Sequence, residues 1–194
     1  MRWKAVGVTA STAAVAVVIV CGPGGACAMD RANEAYLAGD SERAVGLYEQ
    51  AAGAWVPVET RGRAAERAGL LHLQSGDAVG AVRWLHVAAG LLPAGDRRRV
   101  ASELALVYTS RFGDYRRAGE TFRDAAADAV RSGDGEAART LGIEAARAFG
   151  RAEAWDDATA AWDRVMPDLT DPADRAEGEA ALLRGAQRAG GTTE

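Results

Sequence analysis

Residues 39–51 read GDSERAVGLYEQA, and the frame of this stretch returns twice further along the chain. The Gly-Asp pair recurs at residues 76 and 113, so both intervals are 37 residues. Each pair is followed, at fixed spacing, by a small, a large and a small residue. These are Ala44, Tyr48 and Ala51, then Ala81, Leu85 and Ala88, then Ala118, Phe122 and Ala125. A constant period of this length indicates a stacked repeat protein.

A fourth copy of the frame begins at Glu153-Ala154, 40 residues after Gly113 and without a glycine. It continues with Ala158, Trp162 and Val165, which keep the small and large positions in order. We therefore expect about four repeats.

The recurring residues have a physical meaning in a helical repeat. A glycine just past a helix end can take the left-handed conformation that caps free carbonyls, and an aspartate beside it can accept hydrogen bonds from the first amides of the next helix. The small-large-small residues that follow lie four and three positions apart, on one face of a helix. One such hairpin cannot bury its apolar face alone, whereas a stack of hairpins forms a continuous core.

At these residues the chain resembles the tetratricopeptide repeat (TPR) family, whose unit is two antiparallel helices joined by a Gly-Asp type turn. The small residue that the family places seven positions before the turn glycine falls on Ala32, Gly69 and Ala146, while Leu106 stands there in the third copy. The resemblance covers residues 29–190. It implies an all-α, right-handed solenoid of about four TPR-like helix-turn-helix repeats with a C-terminal capping helix.

Turn residues and helical periodicity predict the individual helices. The first eight are expected at about 29–38, 41–54, 60–75, 78–92, 97–112, 115–131, 136–149 and 155–165. Thr60 is the expected cap of the third. Asp171-Pro172 predicts the start of the capping helix, because aspartate caps and proline suits a first helical turn. That helix should end near Gly190 with a polar outer face of Arg175, Glu179 and Arg188, and 191–194 should be a disordered tail.

Residues 1–28 have the features of a targeting segment. Arg2 and Lys4 precede an apolar run at 5–20, and Ala26-Cys27-Ala28 is the small-x-small pattern behind which a signal peptidase cuts. Cleavage after Ala28 predicts a secreted or periplasmic protein without cysteine, hence without disulfides. An uncleaved membrane anchor and a lipoprotein modified at a cysteine remain alternatives.

Charge and composition exclude several function classes. The chain has 23 basic and 27 acidic residues, a net charge of −4, and shows no arginine cluster on an obvious face. We therefore expect no nucleic-acid partner. The two histidines, His72 and His86, lie on different predicted helices without metal-ligand spacing, and Gly133-Asp134-Gly135 lacks the Lys-Ser/Thr of a phosphate loop. We expect no metal, no cofactor and no enzymatic activity, and we expect a half-buried His72.

Four of the five tryptophans lie in the repeat region, and two of these are assigned to packing. Trp162 takes the large core position of the fourth copy and Trp155 corresponds to Tyr115, so both should pack. Trp55 and Trp84 are less constrained by the repeat. An exposed tryptophan at either position would mark a contact patch.

The TPR resemblance implies a concave groove lined by the first helix of each repeat. Its expected lining is Arg63, Glu66, Leu70, Leu73 and Gln74 in repeat two, Val100, Glu103, Val107, Ser110 and Arg111 in repeat three, and Thr140, Ile143, Arg147, Gly150 and Arg151 in repeat four. Arginines above an apolar floor suit a peptide with acidic groups, because arginine binds carboxylate through two parallel hydrogen bonds. The alternative is that these arginines are simply solvated. Met29 replaces the lysine of the family's carboxylate clamp beside Asn33, so that specificity is not expected.

The sequence thus predicts a bacterial protein that acts outside the cytoplasm as an adaptor or scaffold and binds a partner protein or peptide in its groove. The alternative is a permanent structural or accessory subunit of a bacterial envelope complex. An enzyme would need a cluster of titratable groups that the sequence does not show.

Overall fold

The computed structural model describes residues 26–190, and its regular elements there are all helical. The α-helices are α1 Ala26–Leu37, α2 Ser41–Gly53, α3 Val58–Gln74, α4 Ala78–Leu91, α5 Ala94–Val107, α6 Tyr115–Arg131, α7 Gly135–Arg151, α8 Trp155–Val165 and α9 Pro172–Gly190. A π-helical turn, Tyr108–Phe112, continues α5, and a 3₁₀ turn, Met166–Asp168, continues α8. The predicted tail at 191–194 and all but the last three residues of the predicted targeting segment lie outside the described residues.

The helices form one continuous stack, because each packs against the next in chain order. Helices α1 and α2, α3 and α4, α5 and α6, and α7 and α8 make four hairpins, and α9 packs against α8 at the end. We call α1, α3, α5 and α7 the first helices and α2, α4, α6 and α8 the second helices. The predicted all-α solenoid of four repeats with a capping helix is confirmed.

The turns within the first three hairpins have the predicted geometry. Gly39, Gly76 and Gly113 have φ angles of +80°, +88° and +65°, in the left-handed region that favours glycine. The aspartate after each glycine caps the following helix, and its side chain accepts the backbone N–H three residues on at 2.9 to 3.1 Å. Each turn therefore satisfies backbone groups at the end of one helix and at the start of the next.

The fourth turn keeps this geometry without the residues that favour it. Glu153 stands in place of the glycine and has a φ of +56°, and Ala154 occupies the cap position without a side-chain hydrogen bond. A residue with a Cβ in this conformation costs about 1 kcal/mol or more. The fourth copy is thus locally strained where the first three are not.

The recurring small and large residues form the core, as predicted. Tyr48, Leu85 and Trp162 are at most 2% exposed, and Phe122 is partly buried between neighbouring clusters. Helices approach closely where the sequence has glycine: a Cβ on Gly69 would lie 2.9 Å from Leu85 Cγ. The alternation of small and large side chains lets adjacent helices interdigitate.

Two helices begin earlier than predicted, in each case directly after a proline. Helix α3 begins at Val58 after Pro57 rather than behind a Thr60 cap, and α5 begins at Ala94 after Pro93. The carbonyl of each proline accepts the first helical hydrogen bond, at 3.1 and 2.9 Å. Proline is suited to this position because the residue before a helix needs an acceptor but no donor.

The two ends of the stack differ in how well the sequence predicted them. Helix α1 begins at Ala26 rather than Met29, since alanine favours helix and no breaker separates these residues. Helix α9 begins at Pro172 as predicted, and Asp171 Oδ1 accepts the N–H of Ala173 at 2.7 Å. Between residues 26 and 190, no helix combines the length and the apolar character needed to cross a bilayer.

Candidate functional site

The sequence predicts a groove along the first helices, and we call the surface that these helices form the groove face. A cavity of about 390 Å³ lies on it between α5 and α7, with Arg98, Ser102 and Thr140 in its lining. A smaller cavity of about 40 Å³ lies where α1, α2 and α3 meet, and Leu70 and Gln74 contribute to it. The groove face therefore offers shallow depressions between neighbouring first helices.

An ion pair ties Glu66, a predicted groove residue of α3, to Arg99 of α5, which the sequence did not single out. Glu66 is 8% exposed, and its carboxylate accepts hydrogen bonds from both terminal guanidinium nitrogens of Arg99. The distance from Arg99 Nη2 to Glu66 Oε2 is 3.0 Å. Arg99 also lies 3.3 Å from Glu103 and 3.5 Å from Asp96. The hydrogen bond to Glu66 raises the pKa of Arg99 above its usual range. This arginine is thus committed to the protein's own carboxylates.

Arg147, a predicted groove residue of α7, is paired with three carboxylates. Its guanidinium lies 2.8 Å from both Asp174 and Glu177 on α9 and 3.1 Å from Glu144 on its own helix. The hydrogen bond to Glu177 raises the pKa of Arg147. Arg63 lies 2.8 Å from Glu59 in an exposed pair on one helix. A ligand reaches Arg147 only by displacing three carboxylates, whereas the exposed pair of Arg63 is exchanged at little cost.

Arg111 and Arg151 differ from the other predicted groove arginines. Both side chains are exposed, and neither forms an ion pair with the residues that the structure describes. Arg111 lies in the π-helical turn after α5, and the guanidinium of Arg151 lies 5.8 Å from the ring centroid of Tyr115. Among the arginines predicted for the groove, these two can meet a partner's carboxylate without displacing an ion pair of the described residues.

The apolar residues predicted for the groove floor lie mostly in the core. Val100 and Val107 are fully buried and Ile143 is 7% exposed. A first helix inside the stack packs against second helices on both sides, so its apolar stripe faces inward, although Leu106 on α5 stays 61% exposed. Leu73 is partly buried against the central core, and Leu70 is partly exposed at a cavity.

Glu103 is the predicted groove residue with unused hydrogen-bonding capacity. Its Oε1 is 3.3 Å from Arg99, while its Oε2 is buried and has no partner among the described residues. Burial, and then the nearby Glu66 charge, raise the pKa of the Glu103 carboxyl. An unsatisfied buried oxygen can accept a hydrogen bond from an incoming donor.

His72 links the first two repeats, and its half-buried position is confirmed. Its Nε2 lies 2.8 Å from Glu49 and its Nδ1 lies 2.9 Å from Asp77, and the indole N–H of Trp84 donates to the same Glu49 oxygen at 2.7 Å. The backbone N–H of Gly80, and then His72, lower the pKa of Asp77. Because three helices contribute to this cluster, it ties α2, α3 and α4 together.

The second histidine has a simpler environment. His86 Nε2 lies 2.8 Å from the Tyr108 hydroxyl, and burial, followed by the charge of Arg117, lowers the pKa of His86. Within residues 26–190, no three histidine, cysteine or acidic side chains are grouped so that they could hold a metal ion.

Only one of the two less constrained tryptophans is exposed. Trp55, in the loop between α2 and α3, is fully exposed, whereas Trp84 is partly buried and hydrogen-bonded as described above. A single fully exposed tryptophan is a candidate contact residue, because tryptophan is enriched at interfaces.

A larger cavity, which the sequence did not indicate, lies between the second helices α6 and α8, with α7 between them. Its volume is about 550 Å³, and we call it the α6–α8 cavity. Alanines and glycines of the three helices and Val130 form its apolar part, and its charged residues are Arg123, Arg131, Arg139, Arg164 and Asp168. The alanines at residues 126 and 127 lie outside the repeat stripe and could have indicated an open surface on α6. In an alanine-rich chain, however, two more alanines do not stand out.

Two solved structures resemble the whole described stack. Both belong to a kinesin light chain candidate from Podosopora anserina built of nearly identical TPR-like repeats, and one is a single-residue variant of the other. They are 18% identical to this chain, with TM-scores of 0.51 and 0.52, and the alignments cover 86% of this chain and 86% and 87% of those chains. No protein-family model matches the chain, and no curated protein matches it significantly. At this identity the likeness concerns the fold, and the chain has the fold of TPR-like helical repeat proteins.

Proposed function

We propose that this chain is an adaptor that acts outside the cytoplasm and binds a partner protein or peptide along its groove face. The observation that carries the proposal is the fold: stacked helix hairpins expose an extended row of first helices, and such surfaces are suited to protein partners. Catalysis has little support, because the clustered titratable groups of the described residues, around Glu66, His72 and Arg147, are held in pairs between helices.

The groove chemistry narrows the kind of partner. Arg99 and Arg147 are committed to carboxylates of other helices, so the acidic-peptide hypothesis depends mainly on Arg111 and Arg151. Arg63 adds to them only by exchanging its exposed pair with Glu59. The exposed groove residues are mainly polar, so a partner would be held by hydrogen bonds and charge rather than by a large apolar interface. This character favours a reversible adaptor over an obligate assembly.

The proposed location depends on residues 1–28. The basic start, the apolar run and the Ala26-Cys27-Ala28 pattern support export with cleavage after Ala28. Such cleavage would remove the first three residues of α1. Intact mass of the exported protein distinguishes the possibilities, since a cleaved protein begins at Met29, an anchored one keeps residues 1–28, and a lipoprotein carries the added mass of its lipid.

The second candidate is a permanent subunit of an envelope complex, and one observation favours it. Trp55 is fully exposed, and a lasting interface would bury it. A subunit should elute with its complex from native extracts, whereas an adaptor should elute largely alone.

Site-specific photo-crosslinking in the native host tests the two candidates. The photoreactive residue is placed at Leu70 or Arg111 on the groove face, at Trp55, and at Glu42, an exposed residue of the second helix α2, as the matched control. Crosslinks to one discrete protein from the groove positions alone support the adaptor. Crosslinks from Trp55 alone favour the subunit. Absence of crosslinks from all positions in cells that express the protein counts against both.

A further inference from the structure

We propose that the α6–α8 cavity is a second binding site, and that it takes an acidic amphipathic helix of a partner protein. The cavity is lined by second helices together with the side of α7 that carries Arg139 and Gly142. The groove-face cavity between α5 and α7 uses other α7 residues, among them Thr140. The proposal therefore does not depend on the groove face.

The charge of the cavity is opposite to that of the chain. Four arginines and one aspartate line it, although the whole chain has a net charge of −4. Among the described residues, Arg139 and Arg164 have no carboxylate within ion-pair distance, and Arg139 donates to the backbone carbonyl of Asp168 at 3.2 Å. Concentrated positive charge on an acidic protein favours an acidic ligand.

The other two arginines have weak or exposed pairs that a ligand can replace. Arg123 lies 3.4 Å from Asp124 and 4.0 Å from Asp157, and its side chain is 40% exposed. Arg131 pairs with the buried Asp128 three residues before it, and the Arg131 side chain is 68% exposed. Asp128 keeps Arg97, at 3.1 Å, as a partner when Arg131 turns to a ligand, so exchanging these pairs for ligand carboxylates costs little.

Between the arginines the surface is apolar. Val130 is 68% exposed, and the alanines and glycines around it leave room for another helix to approach. A cavity of about 550 Å³ can take several apolar side chains of a docked helix. Helices commonly dock in this way, with apolar anchors in a groove and polar residues at its edges.

The spacing of the arginines selects the kind of acidic ligand. Arg123 and Arg131 are eight residues apart on α6, which places their backbones about 12 Å apart along the helix axis. A lipid with one anionic group cannot bind both. A helix with carboxylates about two turns apart can, because its own repeat has the same dimension. The arrangement therefore favours an acidic helix over a single-headed lipid.

The test measures binding of a fluorescent synthetic helix to the full chain by anisotropy. The probe has leucines on one face and glutamates two turns apart along both edges. A matched probe carries lysine in place of glutamate, and sodium dodecanoate serves as the lipid competitor. The main variant combines Arg139→Glu with Arg164→Glu. Because the loss of the Arg139 hydrogen bond to Asp168 could unfold the chain, Arg164→Glu alone serves as a second variant that keeps this bond. Arg111→Glu with Arg151→Glu is the groove-face control.

We expect the glutamate probe to bind and the lysine probe not to bind. The double variant should weaken binding by about tenfold or more, since two charge-assisted contacts are lost, and the groove-face control should leave it unchanged. The proposal is overturned if the groove-face control weakens binding as much as the double variant, or if the lysine probe binds as tightly as the glutamate probe. It is also overturned if the glutamate probe does not bind up to ~1 mM, or if dodecanoate displaces it at equal concentration. None of these results affects the groove-face adaptor, which the crosslinking tests separately.

Discussion

Glu66 on α3 and Arg99 on α5 join the second and third repeats through a bidentate ion pair, with a buried carboxylate and a half-exposed guanidinium. The two residues are 33 positions apart in sequence. Because burial is unequal, the two partners should respond differently to mutation.

Arg99→Ala should destabilise the protein by about 2 kcal/mol, since it leaves the buried Glu66 carboxylate without its main partner. Glu66→Leu with Arg99→Leu should cost less than Arg99→Ala alone. Urea unfolding of the variants measures both. Arg116→Ala, which removes only exposed pairs at 3.6 Å, is the control and should stay within about 0.5 kcal/mol of wild type. An Arg99→Ala variant as stable as this control would show that the pair contributes nothing.

Giving the fourth turn the glycine and aspartate of the other three turns should stabilise the protein. Glu153→Gly should stabilise the protein by about 1 kcal/mol, because glycine adopts a φ of +56° without the penalty that a Cβ carries. Ala154→Asp should add about 1 kcal/mol by capping α8. Gly113→Ala is the reverse control and should destabilise. Thermal unfolding measures all three, and a less stable Glu153→Gly variant would contradict the left-handed turn.

Two glycines should respond in opposite ways to alanine. Gly46 lies exposed in α2 with open space around it, so Gly46→Ala should stabilise by about 1 kcal/mol through helix propensity alone. A Cβ on Gly119 would lie 2.7 Å from the Phe149 ring, so Gly119→Ala should destabilise by about 1–3 kcal/mol through overpacking. Chemical denaturation of the pair gives the comparison. Effects of the same sign would mean that packing at Gly119 is looser than the structure shows.

Glu103 should make stability depend on pH. Burial and Glu66 raise its pKa above the ordinary 4.5, so between that value and the folded pKa the folded state binds more protons than the unfolded state. Its contribution to stability therefore falls as pH rises through this window and remains unfavourable at neutral pH. Glu103→Gln should be more stable than wild type at pH 7 and should lose that advantage at about pH 4. An equal difference at both pH values would exclude this origin.

Arg147 should control the attachment of α9. Its bonds to Asp174 and Glu177 link α7 to the capping helix, so Arg147→Ala should raise hydrogen exchange in α9 by about tenfold or more, as local opening becomes easier. Exchange in α2 and α3 should not change. Arg151→Ala, which removes an arginine one helical turn away without a described ion pair, is the matched control. Unchanged exchange in α9 would show that packing against α8 alone holds the helix.

The features that could be predicted from the sequence are those made by residues close to each other along the chain. The Gly-Asp turns and the stripe that contains Tyr48 and Leu85 were predictable, because a turn and a helix face are decided by residues a few positions apart. The starts of α3 and α5 were predicted too late, at residues 60 and 97, although Pro57 and Pro93 directly precede these helices. The apolar groove floor was misplaced, since Val100 and Val107 belong to the stripe that faces the core.

The sequence by itself determined the repeat, its period and the helical stack, because these depend on local propensity and on a pattern repeated at nearly constant spacing. Only the tertiary structure decided which charged side chains are paired with each other. Arg147 and Glu177 are 30 residues apart, and nothing in the local sequence of either indicates the other. The same holds for the α6–α8 cavity, whose arginines come from three helices and gather only when the repeats stack. Pairing and cavities are properties of surfaces brought together by folding, and a one-dimensional pattern does not contain them.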